Sequence, residues 1–136
     1  MIVSAFDPGV TTGYALATFD ERYDGNVVPF RLIDAKPVIM IEELHLLVDQ
    51  EDDVRIVEDF VGAGHRTPEA IHTLKLVGYL QHTPNHAGIV VVQSPQRRKA
   101  FVSKAIELIN DKGLAPSKHA ADALAHILYY KYTLEE

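Results

Sequence analysis

The sequence predicts a single α/β domain over residues 1–136, built on a mixed five-stranded sheet with helices on both faces. Three observations carry this prediction. The first part of the chain holds three strand-like segments joined by turn residues, and the remainder alternates helical and strand-like segments. A length of 136 residues also suits one domain with a single core. We therefore expect the first three strands to be antiparallel and the element order to be β-β-β-α-β-α-β-α-α.

The first three strands are predicted near the amino terminus. Residues 2–6 are a short, mostly apolar run that ends in Asp-Pro-Gly at 7–9, a sequence typical of a turn. Residues 14–19 are rich in aromatic and β-forming residues. The turn sequence Asp-Gly-Asn at 24–26 then precedes a third strand at 27–33. Together these segments are expected to form an antiparallel meander.

The middle of the chain is predicted to alternate helix and strand. Apolar residues at helical spacing indicate a first helix over 38–48, which the acidic loop 49–53 ends. Residues 54–59 then form a compact fourth strand with acids at its carboxyl end. Thr-Pro-Glu at 67–69 places a hydroxyl N-cap, a proline and an acid where a helix begins. That second helix is expected to run to about His82.

A strand and two helices complete the predicted fold. Residues 88–93 are a β-branched run and give the fifth strand. Ser94-Pro95 repeats the N-cap and proline signal and opens a helix to about Lys112, which Gly113 ends. Pro116-Ser117 opens the last helix, predicted over residues 118–132.

Composition excludes several classes of protein. The chain has no cysteine, which excludes a disulfide scaffold, a thiolate zinc site and a cysteine nucleophile. Its apolar runs fall far short of the roughly 20 residues that cross a bilayer. The amino terminus has no basic region and reaches Asp7 too early for a signal peptide. We therefore expect an intracellular, cytoplasmic protein with no membrane partner.

Charge is distributed unevenly along the chain. The net charge of −6 argues weakly against a nucleic-acid partner. Residues 1–59, however, hold 13 acids and four basic residues, whereas residues 60–136 hold six acids, nine basic residues and six of the seven histidines. Since binding to a polyanion depends on the local field, a nucleic-acid face in the second half remains compatible with the sequence. A solvated acidic loop region is the plain alternative.

Metal-competent side chains occur at the ends of several predicted elements. Asp7 ends the first strand, and Glu58 and Asp59 end the fourth, with Asp59 on the alternate and more solvated side. His119 and Asp122, three residues apart, share one face of the last helix. Ligands of open α/β sheets collect at the carboxyl ends of strands. If strands one and four are parallel neighbours, Asp7 and Glu58 meet there.

Carboxylates brought together repel one another unless a cation lies between them. Oxygen ligands favour Mg²⁺ or Mn²⁺, and two such ions roughly 4 Å apart can promote phosphodiester cleavage. Each residue alone has a simpler explanation: Asp7 as a turn cap, Glu58 as a solvated strand end, His119 as a surface histidine. Asp122 lies among alanines and a leucine, so a buried acid there needs a partner. The set as a whole favours a metal site.

The chain contains the segments DPGVTTGYA at 7–15, IVEDF at 56–60 and HAADALA at 119–125. Together they resemble the motifs of the RuvC family of Holliday junction resolvases, in a short, phage-type version. Residues 7–15 resemble the first motif, and residues 56–60 resemble the second. Residues 119–125 resemble the motif that opens the family's last helix, in its histidine-bearing form. The resemblance covers nearly the whole chain, and it implies the RNase H-like fold.

The resemblance also implies an activity. It implies a homodimeric endonuclease that nicks two opposed strands of a four-way DNA junction symmetrically, needing Mg²⁺ and no nucleotide cofactor. Two Mg²⁺ ions per active site are implied, with Mn²⁺ able to substitute. Asp7 would bridge both ions, Asp122 would bind one, and Glu58 and His119 the other. The helix at 67–82 is one candidate for the dimer interface.

The resemblance gives the basic residues and one aromatic residue a role on DNA. Basic side chains would contact phosphates and set position rather than sequence. An aromatic side chain shortly after the second-motif glutamate would enter the junction; Phe60 is the aromatic here, with Val61 at the commoner position. A solvated helix face is the alternative for the basic cluster. The predicted DNA-binding residues are Phe60, Arg66, Arg97, Arg98, Lys99, Lys104 and Lys118.

Three other functions are compatible with parts of the sequence. Residues 7–12 also resemble the phosphate loop of actin-like and sugar-kinase ATPases, but those proteins enclose their nucleotide between two domains. An RNA-processing nuclease of the pre-16S-rRNA type keeps the fold and changes the substrate. A catalytically idle junction-binding module is the third, although clustered carboxylates without a cation are costly to keep.

Overall fold

The computed structural model describes residues 1–20, 28–60, 67–82 and 88–135. Five strands lie in these residues: β1 (Ile2–Asp7), β2 (Thr12–Phe19), β3 (Phe30–Val38), β4 (Val54–Glu58) and β5 (Ile89–Gln93). They form one sheet in the order β3-β2-β1-β4-β5. The first three strands are antiparallel, whereas β1 pairs with β4, and β4 with β5, in parallel. The predicted mixed sheet with an antiparallel meander is confirmed.

The described residues also form four α-helices and one 3₁₀ helix. These are α1 (Ile41–Val48), α2 (Pro68–Gln81), the 3₁₀ helix (Pro95–Phe101), α3 (Val102–Lys112) and α4 (Lys118–Glu135). One face of the sheet packs on α1 and α2, and the other on α3 and α4, which gives two cores. Helices on both faces were predicted. None of the described helices is both long enough and apolar enough to cross a membrane.

Helix α4 packs close to the sheet because its buried face is built mainly of alanine. Residues 120–128 are buried without interruption. At Gly13 the backbones of β2 and α4 touch, since a Cβ atom there would lie 2.0 Å from the carbonyl oxygen of His119. Only glycine allows this approach. The start of α4 is thereby held against the strand that pairs with β1.

Predicted signals for helix ends are confirmed at three places. Thr67 Oγ1 accepts a hydrogen bond from the Ala70 N–H at 3.1 Å, and Ser117 Oγ accepts one from the Ala120 N–H at 3.2 Å. Gly113 ends α3 with a φ of +80°, in the left-handed region that favours glycine. These local signals work because each satisfies backbone groups that the helix itself leaves open.

Some predicted boundaries were wrong. The third strand lies at 30–38 rather than 27–33, because β2 is long enough to pair with it up to Val38. Val38 therefore ends a strand, and the first helix begins only at Ile41. The turn predicted at 24–26 lies outside the described residues.

The third predicted helix also differs. It begins as a 3₁₀ helix, with the Arg97 N–H bonded to the Ser94 carbonyl, and the Ser94 side chain makes no cap. The last helix extends to Glu135, three residues beyond the predicted end.

Candidate active site at the carboxyl edge of the sheet

Two carboxylates meet where the parallel strands β1 and β4 end. Asp7 is the last residue of β1 and Glu58 the last of β4, and the residues before them, Phe6 and Val57, are register partners. Side chains alternate along a strand, so Asp7 lies on the same face as Ala5. That face is the one covered by α4. The expected meeting of these two acids is observed.

A third carboxylate comes from α4. Asp122 lies in the second turn of the helix and is buried, and the negative charges of both Glu58 and Asp122 act on Asp7. The structure thus brings together three of the predicted residues, each supplied by a different element. Rigid, separate elements are what a metal or phosphoryl-transfer site needs to hold its ligands in place.

Arg98 lies between the carboxylates. Its Nε donates to Glu58 Oε1 at 2.6 Å, and its Nη1 lies 3.6 Å from Asp122 Oδ1. The side chain is 24% exposed, so it can reach both the site and solvent. We predicted Arg98 as a DNA-binding residue; in this structure it supplies positive charge to the acidic site. It also answers the expectation that Asp122 needs a partner.

His126 and Gln93 belong to the site although sequence reasoning missed both. His126 is fully buried, with its Nε2 3.0 Å from Glu58 Oε1 and its Nδ1 2.6 Å from Gln93 Oε1. A usable signal for His126 was present in the sequence. It is a histidine within the otherwise apolar run of residues 123–128, four residues after Asp122 and so on the same face of the helix.

The carboxyl groups have strongly shifted pKa values. Burial raises the pKa of Asp7 to about 9, reinforced by a hydrogen bond to Glu58 and by the charges of Glu58 and Asp122, while Arg98 opposes the shift. Burial also raises the pKa of Asp122, with Arg98 again opposing. Burial disfavours ionised Glu58 as well, but hydrogen bonds from His126, Asp7 and Arg98 outweigh it and hold its pKa at about 2. The two carboxyl groups are coupled, and their opposite pKa shifts favour one proton between them, on the Asp7 side.

The donor set fits a hard divalent cation in its chemistry. Carboxylate oxygens on fixed elements are the ligands that Mg²⁺ and Mn²⁺ prefer, and a cation would relieve the repulsion that raises the pKa of Asp7. As the side chains stand, no three acidic or histidine residues in the described part of the chain are gathered closely enough to enclose an ion. Arg98 offsets part of the acidic charge in that arrangement.

The predicted ligand His119 lies at the edge of the site. It is exposed in the first turn of α4, and its charge acts on Asp122. Phe60, predicted to enter DNA, is half-buried and packs against the core under α1 and α2. Asp59 is exposed, as alternation along the strand predicted.

The remaining predicted DNA-binding residues are mostly at the surface. Arg97 is exposed and stacks on Tyr129, with its guanidinium carbon 5.6 Å from the ring centre. Lys104 pairs with Glu107 on the exposed face of α3, and Lys99 and Lys118 are exposed. Arg66 lies outside the described residues.

Solved structures match nearly the whole chain. Thermus thermophilus RuvC in complex with a Holliday junction substrate matches with a TM-score of 0.66 at 18% identity, over 98% of this chain and 95% of that one. The fowlpox virus Holliday junction resolvase matches with a TM-score of 0.64 at 18% identity, over 98% and 99%. The chain has the fold of these resolvases. The predicted RuvC-like, RNase H-like fold is confirmed.

Matches at the level of sequence are lacking. No protein-family model matches the chain, and a search of curated proteins gave no match. The likeness to RuvC therefore rests on three-dimensional structure and on the three short motifs.

Proposed function

We propose that this chain is a metal-dependent endonuclease that resolves four-way DNA junctions by paired, symmetric nicks. One observation carries the proposal: Asp7, Glu58 and Asp122 converge from β1, β4 and α4 at the carboxyl edge of the sheet. The fold that holds them is that of RuvC and of the fowlpox resolvase. Acidic ligands on a shared fold support a shared reaction class, while the activity itself is our inference.

Branched DNA is the proposed substrate. The RuvC structure with a TM-score of 0.66 is a complex with a Holliday junction substrate, and a second fowlpox structure holds substrate Holliday junction DNA. In this chain Arg97, Lys99 and Lys118 are exposed on the elements that adjoin the acidic site. We propose that they bind the phosphates that flank the cleaved bond.

Asp7, Glu58 and Asp122 would hold the divalent cations, with His119 as a further ligand after a turn of its exposed side chain. When bound, two Mg²⁺ or Mn²⁺ ions supply activation of water and stabilisation of the leaving oxygen. The protein itself contributes a rigid set of oxygens, since two are fixed by paired strands and one by a packed helix. Before cations bind, Arg98 would offset part of the negative charge of Glu58 and Asp122. Because its side chain is partly exposed, it could then turn outward toward a DNA phosphate.

A homodimer is part of the proposal because symmetric nicks on two strands need two active sites. Helix α2 is the proposed interface. Its outer face exposes Ile71 and Leu74, by 46% and 52%, on an element that contributes no residue to the acidic site. Apolar side chains at this spacing on one exposed helix face are suited to packing against a second copy.

The decisive experiment is a cleavage panel with wild-type protein and Asp122→Asn. The substrates are a four-way junction, a Y-fork, a duplex, a single strand and an RNA–DNA hybrid, each with Mg²⁺ or Mn²⁺. We expect paired nicks in the four-way junction. Asp122→Asn should lower their rate on the order of 1000-fold, because metal coordination supplies several kcal/mol of transition-state stabilisation. Junction affinity without metal should be retained.

Asp111→Asn provides the matched control, because Asp111 is an exposed acid on neighbouring α3. It should cleave like the wild type. Cleavage by Asp122→Asn at the wild-type rate would overturn the proposed site. Preferential cleavage of the hybrid would instead favour an RNA-processing nuclease.

A further inference from the structure

We propose that His126 and Gln93 form a positioning pair that fixes the carboxylate of Glu58 for cation binding. The inference rests on the proposed function, because it assigns a role within the same site. His126 is not itself proposed as a ligand or as a group that touches the substrate. It would act through Glu58.

Helix geometry brings His126 to Glu58. His126 follows Asp122 by four residues, so both side chains project from one face of α4. Asp122 contributes a carboxylate, and one turn later His126 Nε2 lies 3.0 Å from Glu58 Oε1. The helix that carries one proposed ligand thus also holds a second ligand that belongs to a strand.

Sheet register brings Gln93 to His126. Gln93 is the last residue of β5 and the register partner of Glu58. Both side chains lie on the α4 face of the sheet, where Gln93 Oε1 is 2.6 Å from His126 Nδ1. Both ring nitrogens of this fully buried histidine are therefore hydrogen-bonded. A buried polar ring with both nitrogens engaged has little freedom to turn.

The direction of the hydrogen bond to Glu58 does not depend on the charge of the ring. A carboxylate only accepts, so Nε2 carries a hydrogen. With Gln93 Oε1 facing Nδ1, the ring donates from both nitrogens. With the amide turned over, its NH₂ group donates to Nδ1 and the ring is neutral. In both arrangements Nε2–H points at Glu58.

His126 and Arg98 both hydrogen-bond to Oε1 of Glu58, but they differ in how freely their side chains can move. Arg98 Nε lies 2.6 Å from Oε1, on a side chain that is 24% exposed and can leave when a cation enters. His126 has no exposed surface and remains in place. It would therefore keep the carboxylate oriented in the state that binds cations. Hydrogen bonds of this kind behind a ligand typically change metal affinity by about 10- to 100-fold.

The test measures Mn²⁺ binding to the purified, DNA-free full chain by electron paramagnetic resonance. His126→Leu should weaken Mn²⁺ binding by about 10- to 100-fold, and Gln93→Leu should weaken it by less. His126→Gln should recover part of the affinity, because its amide retains an N–H donor. His72→Leu, which changes an exposed histidine on α2, is the matched control and should bind like the wild type.

A purely structural role for His126 would lower the unfolding temperature and leave the Mn²⁺ affinity of the folded protein unchanged. Equal Mn²⁺ affinity in wild type and His126→Leu would overturn the proposal. If His126→Leu does not fold, the proposal is overturned when both Gln93→Leu and His126→Gln bind Mn²⁺ with the affinity of the wild type. Wild-type protein that binds Mn²⁺ through this pair but cuts no branched DNA would instead refute the proposed function alone.

Discussion

Strand β4 has a buried charge cluster at each end, and the two clusters differ in how charge is balanced. At its start Arg55 is fully buried, with Nε 3.3 Å from Asp52 Oδ2 and Nη2 2.7 Å from the Val48 carbonyl oxygen. Ser4 Oγ donates to the same Asp52 oxygen at 2.5 Å. At its end, within the described residues, three carboxylates share the positive charge of Arg98.

The cluster at the start of β4 is suited to stabilising the fold, whereas the cluster at its end is suited to binding a ligand. A buried pair of opposite charges with further hydrogen bonds keeps the groups of the native state satisfied. Three acids around one partly exposed arginine leave the negative charge only partly balanced, and burial and the neighbouring acids raise the pKa of Asp7. The first arrangement suits a permanent part of the fold. The second suits a site that gains stability when cations bind.

Breaking the first cluster should have the largest effect on stability. Arg55→Met removes the guanidinium beside buried Asp52, which should lower the free energy of unfolding by about 3–5 kcal/mol. Urea denaturation measures the change. Lys36→Met, which breaks the exposed pair with Glu43, should cost about 0.5 kcal/mol. Equal losses in both variants would show that the buried pair contributes no more than a surface pair.

Removing an acid from the second cluster should increase the free energy of unfolding rather than lower it. Asp7→Asn should raise the free energy of unfolding of the metal-free protein by about 2 kcal/mol near pH 8, because folding raises the pKa of Asp7 and so forces it to take up a proton at that pH, which a neutral amide need not do. A carboxyl group with a raised folded pKa contributes stability below its unfolded pKa of about 4. That contribution is lost as pH rises toward about 9.

Urea denaturation in EDTA at pH 5, 7 and 9 tests this prediction. Wild-type stability should fall relative to Asp7→Asn across this range. Glu58, with its pKa held at about 2, stays ionised throughout and adds no slope of its own. Saturating Mg²⁺ should stabilise the wild type and have little effect on Asp7→Asn. A variant that is less stable than the wild type at every pH would contradict the comparison.

The smallest effect is expected from Arg98. A unit charge roughly 4 Å away in solvated surroundings is worth about 1 kcal/mol, or about fivefold in affinity. Arg98→Gln should therefore lower the Mn²⁺ concentration at half-saturation by about fivefold in the absence of DNA. Lys99→Gln, its exposed neighbour, is the control and should change little. Weaker Mn²⁺ binding in Arg98→Gln would mean that Arg98 orients the acids rather than competing with the cation.

Local signals in the sequence predicted the elements that carry the site. Asp7 and Glu58 were recognisable because apolar strands end at them, and the start of α4 was recognisable from Ser117 and the alanines that follow. The order of the elements along the chain, and the presence of helices on both faces of the sheet, followed from the alternation of strand-like and helical segments. Such features are encoded within a few residues of one another.

Features that depend on distant partners were not predictable in this way. Gln93 joins the site only through its register with Glu58, and Arg98 only through the path of the 3₁₀ helix. The third strand was misplaced for the same reason, since pairing with β2 rather than local composition sets its ends. His126 could have been noticed as a histidine among apolar residues, but its hydrogen bonds to Glu58 and Gln93 could not have been predicted.

The contact at Gly13 has a consequence for the width of the acidic site. Because α4 rests on bare backbone there, the distance from the sheet to Asp122 and His126 is set by the absence of a side chain. Any larger residue at position 13 would push the helix outward and carry both groups away from Glu58 together. The missing Cβ atom of Gly13 therefore determines how far Asp122 and His126 lie from Glu58.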